Sequence, residues 1–318
     1  MNLNVPKSII TVVKCWYTKI FNSVKWSSCL SQYVKILAGV CQGGILSPYF
    51  FALFVDNVLA RLAHSHLGCF IKCHCCTSFM YADDIILLSL SVSHMQRMVD
   101  ICVQEFSGIN MEINIKKSGC LRIGDRHLSQ CQAITIGGQT INWLQEVKYL
   151  GIIIVSAKRF KTNQQSSKQK FFGALNGIFG KIGLNASPVV LCSLVDSFCL
   201  PILLYAAESL IWNNKSIRSM EHSFSQAYHK IFKTYDRDVI QQCQLHLGYL
   251  PIHLLLDLRK LNYHCKIKLL PHHPNFILIN QDNNEFVELC LKYNFSAYIG
   301  RLKYNSLMWT HFRAIIMH

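Results

Sequence analysis

Asp83 and Asp84 stand side by side between two apolar runs, Ser78-Phe79-Met80-Tyr81-Ala82 and Ile85-Ile86-Leu87-Leu88. Each run has the length and the β-branched or aromatic content of a buried strand, with neither Gly nor Pro inside. Together they read as a hairpin carrying two carboxylates at its tip. Burying ionised carboxylates without a partner costs on the order of several kcal/mol, so the pair constrains what can surround it. A divalent cation relieves that cost, and hard oxygen ligands suit Mg²⁺ or Mn²⁺. Paired carboxylates on metal fit phosphoryl transfer, where one ion activates a hydroxyl and the other neutralises a leaving group. The other reading is a solvated Asp-Asp turn between core strands. The pair alone leaves both open.

The segment upstream adds a loop that runs into a helix: Gly39-Val40-Cys41-Gln42-Gly43-Gly44-Ile45-Leu46-Ser47-Pro48. Ser47 fits an N-cap and Pro48 the first helical position. Phe51, Phe54, Val55, Val58, Leu59 and Leu62 then recur at helical spacing, which predicts one apolar face packed on a sheet. Gly43-Gly44 removes two side chains where backbone could approach a ligand, and Gln42 offers an amide at the same place. A Gly-Gly turn before a helix is, by itself, commonly structural.

With both segments in hand, GVCQGGILSPYFF followed by FMYADDIILLS resembles motifs B and C of reverse transcriptases, in the form carried by non-LTR (LINE-type) retrotransposons. Asn114-Ile115-Lys116-Lys117-Ser118, after Gly108, resembles the family's motif D. Val147-Lys148-Tyr149-Leu150-Gly151-Ile152 resembles its primer-grip segment. The four stretches fall in the family's order over residues 39–152.

The resemblance implies an α+β fold: a partial right-hand polymerase palm, an antiparallel sheet with helices, followed by a helical thumb. It implies roles residue by residue. Asp83 becomes the main metal ligand and Asp84 assists it, with Mg²⁺ or Mn²⁺ as cofactor. Gln42 and Gly43 line the template and nucleotide pocket. Lys117 lies near the triphosphate, where an ammonium can stabilise departing pyrophosphate; an ordinary solvated lysine is the alternative. Tyr149, Leu150 and Gly151 turn a hairpin against the primer terminus; the alternative is a simple buried strand from Tyr149 to Val155. The implied partners are an RNA template, a DNA primer forming a hybrid duplex with it, and a deoxynucleoside triphosphate.

One departure bears on activity. The family's two-metal chemistry uses a further Asp from motif A, on a strand N-terminal to motif B. Before Ala82 the only acidic residue is Asp56, on the helix after motif B, where a solvated helix charge is the simplest reading. The expectation is therefore a chain that starts after motif A, lacks the fingers, and is inactive alone, since two carboxylates position metal poorly. Its opening, Asn4-Val5-Pro6-Lys7 and an apolar helix with Trp16 and Tyr17, resembles the family's helix between motifs A and B. Cys41 stands where related elements often carry Arg, which weakens one phosphate contact.

Charge agrees with a polyanionic partner. Lys plus Arg number 32 against 17 acids, for a formal charge of +15. From Val147 to Val195 there is no acidic residue, while Lys158, Arg159, Lys161, Lys168 and Lys170 all fall there. In the resembled family this is where the thumb begins, and a basic helical face there would track phosphates without reading sequence. Phe160, Phe171, Phe172 and Phe179, interleaved with these bases, read as core rather than as stacking platforms.

The expected organisation is a palm part over residues 1–155, a thumb-like part over 156–245 and a largely helical extension over 246–318. Strand signals fade after Val155. Helical patterns run from Lys170 to Leu184, Pro188 to Trp212, Ile217 to Tyr235 and His253 to Leu270. The apolar stretch Val189 to Trp212 is interrupted by Asp196, Pro201 and Glu208, so no spanning helix and no membrane partner is expected. No secretory signal opens the chain, which leaves an intracellular place, cytoplasm or nucleus. His66, Cys69, Cys73, His74, Cys75 and Cys76 cluster before the Asp pair, and Cys73-x-x-Cys76 has zinc spacing, but no second pair follows. The other cysteines read as small buried hydrophobes in a reducing compartment. Three functions remain open: a polymerase fragment, a non-enzymatic RNA- or DNA-binding relic, and a decayed mobile-element reading frame.

Overall fold

The computed structural model describes residues 5–37, 39–71, 74–183, 186–270, 284–294 and 301–317. Chain contacts separate it into one unit of Met1–Val147 with Ser156–Lys158, and a second of Lys148–Val155 with Arg159–His318.

In the first unit, helix α1 (Lys7–Thr18) buries none of its residues, although Ile9, Ile10, Val12 and Trp16 give it an apolar face. An arm of nested two-residue ladders follows. Strand β1 (Phe21–Asn22) pairs with β4 (Val34–Lys35), enclosing β2 (Lys25–Trp26) paired with β3 (Cys29–Leu30). All four are exposed, Trp26 to 81%. Helix α2 (Ser47–His64) is different. Its Val55, Val58 and Leu62, at helical spacing, are buried against Met98, Cys102 and Phe106 of α3 (Val92–Gly108). The expected face is thus partly right and its partner is chiefly a helix. Phe51 joins that core, while Phe54 is 52% exposed.

Between α2 and α3 lie two antiparallel ribbons, β5 (Phe70–Ile71) with β6 (His74–Cys75) and β7 (Ser78–Tyr81) with β8 (Asp84–Leu87). Beyond α3, β9 (Cys120–Leu121) pairs in parallel with β12 (Trp143–Leu144), and β10 (Ile134–Ile136) pairs with β11 (Gln139–Ile141). Gln96 of α3 fastens β10 by imitating a strand: its amide donates to the Thr135 carbonyl at 2.9 Å and accepts from the Thr135 amide at 2.8 Å. Val99, Ile134, Ile136 and Ile141 form the core beneath. The expected single antiparallel sheet is corrected. Among the described residues the strands form separate ladders of two or three, mixed with helix, so the fold is α+β.

A three-stranded sheet follows in the order β13 (Glu146–Tyr149), β14 (Ile152–Val155), β15 (Lys161–Asn163), of which the second unit holds Lys148 onward in β13 and all of β14 and β15. Strand β15 was not expected, because Lys161-Thr162-Asn163 carries no apolar pattern; its partner β14 supplies the ladder instead. Helices α4 (Gln165–Ile182), α5 (Pro188–Leu194), α6 (Leu200–Leu203), α7 (Asn214–Phe232), α8 (Arg237–Leu247) and α9 (Ile252–Lys268) enclose the larger core. The expected helix from Pro188 to Trp212 is broken by a π turn at Val195–Cys199 before Pro201 and ends in a 3₁₀ turn at Ala207–Ser209. The stretch Pro188–Ser209 is long and apolar enough to cross a membrane by length and composition alone. Its Leu191, Cys192, Val195, Cys199, Leu203 and Leu204 lie in the core against Phe171, Phe224 and Tyr228. Asp196, on the π turn, has its carboxyl pushed up by burial.

A smaller core joins α9 to α10 (Asn284–Lys292) and α11 (Arg301–Met317) through Leu254, Leu261, Phe286, Leu289, Tyr304, Met308 and Phe312. Polar ties flank it. Tyr293 donates to Asp257 at 2.6 Å, where Lys292 also sits at 2.6 Å. Glu285 receives the buried Lys260 ammonium and faces His264 at 3.3 Å. Burial pushes the Glu285 carboxyl up, but the hydrogen bonds and charges of His264 and Lys260 outweigh it and hold the group below its ordinary 4.5. A depressed carboxyl stabilises the fold above its unfolded value and loses that contribution as pH falls through the folded one. Thermal melting between pH 5 and 3 is expected to fall more steeply in the native chain than in Glu285→Gln.

Candidate functional site

The loop before α2 closes on itself. Gly44 donates its amide to the Cys41 carbonyl at 3.1 Å, and Ser47 donates its hydroxyl to the same carbonyl at 2.5 Å. Ser47 is therefore the first helical residue and a loop tie, not the N-cap; Leu46 holds the cap position without a side-chain bond. A Cβ on Gly44 would fall 2.6 Å from the Ser47 hydroxyl, so the tie requires glycine there. Gly43 has φ +80° with open space around it, and its need is conformational. Gln42 and Gly43 are both exposed.

The hairpin forms where the apolar runs predict it. Ser78 pairs with Leu87, Phe79 with Ile86, Met80 with Ile85 and Tyr81 with Asp84. Ala82 and Asp83 make a two-residue turn, and Ala82 takes φ +52°, a left-handed conformation that costs an L-residue about 1–2 kcal/mol. Met80, Ile85 and Leu87 pack on the α2–α3 core, which seats the hairpin beside the helix that the Gln42-Gly43 loop opens. The hairpin base is anchored by Thr77, almost fully buried, whose hydroxyl donates to the Leu67 carbonyl at 2.8 Å while its own carbonyl accepts from Leu88 at 2.7 Å. Gly68 makes room for that anchor: a Cβ there would lie 2.6 Å from Thr77 and 2.7 Å from the Leu88 oxygen.

Asp83 and Asp84 are both exposed, and neither run is fully buried. The expectation of carboxylates trapped between buried strands is corrected: one face of this ribbon meets the core and the tip projects to solvent, so no burial cost demands a cation. No group of three or more His, Cys, Asp or Glu side chains among the described residues could hold an ion. Two exposed carboxylates do not by themselves make a resident metal site. Cys73 of the candidate zinc spacing lies outside the described residues. Of its neighbours, Cys69 has its thiol pushed up by burial and by Cys76.

Asn114 builds a tight turn, accepting the Lys117 amide on its side chain at 3.2 Å and the Ser118 hydroxyl on its carbonyl at 2.9 Å. Lys116 and Lys117 are exposed on it. Tyr149, Leu150 and Gly151 lie at a hairpin turn between β13 and β14, with Leu150 at φ +44° and Gly151 at φ +84°. The uninterrupted strand is thereby excluded. Tyr205 locks this turn: its hydroxyl donates to the Leu150 carbonyl at 3.0 Å, and its ring lies 3.2 Å from where a Gly151 Cβ would stand. The basic residues do not share a helical face. Lys158 belongs to the first unit and pairs with Asp125 at 3.1 Å. Arg159 precedes β15, Lys161 lies in it, and only Lys168 and Lys170 are on α4. Lys168 is engaged by the Ser219 hydroxyl. Phe171 is core, Phe172 and Phe179 pack against it, and Phe160 is exposed.

Comparison with known proteins supplies the class. Residues 2–154 match the family model for reverse transcriptase (RNA-dependent DNA polymerase). Among curated relatives, the RNA-directed DNA polymerase from mobile element jockey of Drosophila funebris is 25% identical over 178 residues, which is 52% of this chain and 18% of that protein. The Retrovirus-related Pol polyprotein from type-2 retrotransposable element R2DM of Drosophila melanogaster is 26% identical over 166 residues, 50% of this chain and 16% of that protein. Residues 2–154 are thus a reverse transcriptase domain of the non-LTR, LINE-type kind. The match spans less than a fifth of the length of these relatives.

Sequence reasoning missed Thr77, Gly68 and Tyr205. Gly68 lies within the His66–Cys76 stretch and Thr77 directly after it, where neither carries a local pattern, and nothing local marks Tyr205 as the partner of a turn 55 residues earlier. Ala82→Gly is expected to raise stability by up to about 1 kcal/mol in urea unfolding by relieving the left-handed turn. Tyr205→Phe is expected to cost about 0.5–1 kcal/mol and to speed amide exchange in residues 149–152, with the rest of the second unit unchanged.

Proposed function

We propose that this chain carries the palm and thumb portions of a retrotransposon reverse transcriptase, which bind a primed RNA template. The observation that carries this reading is the Ala82-Asp83 turn, which presents two adjacent carboxylates on a hairpin seated against the helix opened by the Gln42-Gly43 loop. In that reading the first unit is a partial palm, and the helices of α4 to α8 are thumb-like. Gln42 and Gly43 face template and deoxynucleotide, Lys117 lies by the triphosphate, and Tyr149, Leu150 and Gly151 hold the primer end. Arg159, Lys161 and Lys170 meet the duplex backbone through charge, as Lys158 does when its exposed pair with Asp125 exchanges for phosphate.

Polymerisation is a separate matter. In the intact family two metal ions serve nucleotidyl transfer, and Asp83 with Asp84 is the pair that would hold Mg²⁺ or Mn²⁺ here. These 318 residues supply no third carboxylate upstream except Asp56 on α2, so we read the polypeptide by itself as binding without extending. The second reading, a non-enzymatic nucleic-acid-binding relic, is favoured by the same two exposed carboxylates.

The purified chain is expected to bind an RNA template annealed to a DNA primer, with affinity falling steeply as salt rises. It is expected to give no extension with deoxynucleotides and Mg²⁺. Extension that disappears in Asp83→Ala would overturn the inactive half of the proposal, and salt-insensitive or absent binding would overturn the whole of it.

A further inference from the structure

The second unit contains a cleft apart from the candidate site described above. It lies between α7, α8 and the start of α9 and has a volume of about 360 Å³, inside the roughly 300–1,000 Å³ range typical of ligand sites. Helix α7 contributes Arg218, His222 and His229, which follow one another at spacings of four and seven residues and so share a face. Arg237, the first residue of α8, and His253, near the start of α9, line the remaining walls. Five nitrogen-bearing cationic or potentially cationic side chains from three helices thus converge on one opening.

We propose that this cleft is an anion site that takes a phosphate group of a nucleic-acid strand. The balance of charge supports it first. Glu221 is the one carboxylate among the lining residues, and His253 already engages it, Nδ1 to Oε1 at 2.6 Å. The two guanidinium groups are exposed and have no carboxylate partner among the described residues. A guanidinium offers a planar fork of donors that matches phosphate geometry. The histidine geometry supports it second. His229 Nδ1 lies 2.7 Å from the Thr234 carbonyl. A carbonyl only accepts, so Nδ1 carries the hydrogen and Nε2 is the ring atom left for a ligand, a donor once protonated. The remaining lining is suited to a sugar-phosphate unit: Gln241 and Ser225 offer hydrogen bonds, while Phe224, Ile240 and Ile252 form an apolar floor. With a formal charge of +15 on the chain, a polyanionic strand is the phosphate source that the long-range field attracts.

The cleft lies partly on α7 and α8, which the polymerase reading takes as thumb-like, but none of its residues is among those to which that reading gives a contact, and the proposal goes beyond it. Its test uses the full chain and a fluorescently labelled oligouridine, with binding followed by anisotropy over a range of KCl concentrations. Arg218→Gln with Arg237→Gln is expected to weaken binding about tenfold and to flatten the dependence of log affinity on log salt by one to two phosphate contacts, at about 0.7 in slope for each. Lys215→Gln with Lys266→Gln removes the same charge from exposed positions outside the cleft and is expected to change affinity far less. Equal losses in the two double variants would overturn the site, because bulk charge would then explain both.

A second measurement locates the ligand. In spectra of histidine-labelled protein, uridine monophosphate and inorganic phosphate are added separately. Shifts of His222, His229 and His253, with His311 unmoved, support the site. If phosphate alone produces them, the phosphoryl group suffices; if only the nucleotide does, the floor contributes. No shift with either small ligand or with the oligonucleotide overturns the proposal. Histidine shifts in a protein that binds no primed template would leave this site standing and remove the polymerase reading.

Discussion

The packing of α2 on α3 is the contact on which the first unit depends. Leu62 and Met98 are wholly buried in it, with Val55, Val58, Cys102 and Phe106 around them. Both the glycine loop and the carboxylate hairpin are attached to that pair of helices. The glycine loop is the N-terminal entry to α2, and the carboxylate hairpin lays Met80, Ile85 and Leu87 onto the same core. Gln96 of α3 carries the β10–β11 ribbon on its outer side. Loss of this helix pair would separate loop, hairpin and ribbon together, since none has a core of its own. The exposed apolar side chains of α1 and of the arm at residues 21–35 lie outside it, which is why they contribute no buried residue.

In the second unit a different device holds the turn at Leu150-Gly151. Both residues have positive φ, and a chain held there relies on neighbours that outweigh the strain. Tyr205 supplies one such neighbour with a hydrogen bond and a ring face. It stands immediately after the buried Leu203 and Leu204, so the position of its hydroxyl is inherited from the helical core of the second unit. A turn that would have been mobile in a lone hairpin is thereby tied to a helical bundle.

Much of this was legible in the sequence where a local pattern and a burial demand coincide. The hairpin at residues 78–87 could be read because its two apolar runs flank a polar dipeptide, and the helix at 252–268 because its apolar positions recur after a proline. What could not be read depended on partners far along the chain. Strand β15 has no pattern of its own and exists because β14 offers a ladder. Ser47 resembles a cap and instead ties a loop, because the Cys41 carbonyl reaches it first. The buried setting expected for Asp83 and Asp84 failed for a related reason. Alternation within a strand tells which face is apolar, not how deep the strand lies, and here only one side of the ribbon meets a core. The basic run from Lys158 to Lys170 failed as a face because it crosses a bend, a strand and a helix, whose side chains follow different periods.

The two kinds of charge in this chain place different demands on geometry. Attraction of a polyanion needs only an excess of positive charge within roughly a Debye length, about 8–10 Å, and tolerates scatter of the individual side chains. Catalysis on a phosphoryl group needs several oxygen ligands held to within a fraction of an ångström of one another. The chain meets the first demand with Lys and Arg distributed over bends, strands and helices. It meets the second only in part, with two adjacent carboxylates on a strained turn and no further acid beside them among the described residues. Binding and chemistry therefore place separate demands on a chain: diffuse positive charge suffices for the first, and an organised set of oxygen ligands is needed for the second. The left-handed Ala82 belongs to the fold and not to either demand, since a two-residue hairpin loop requires a positive φ at its first position.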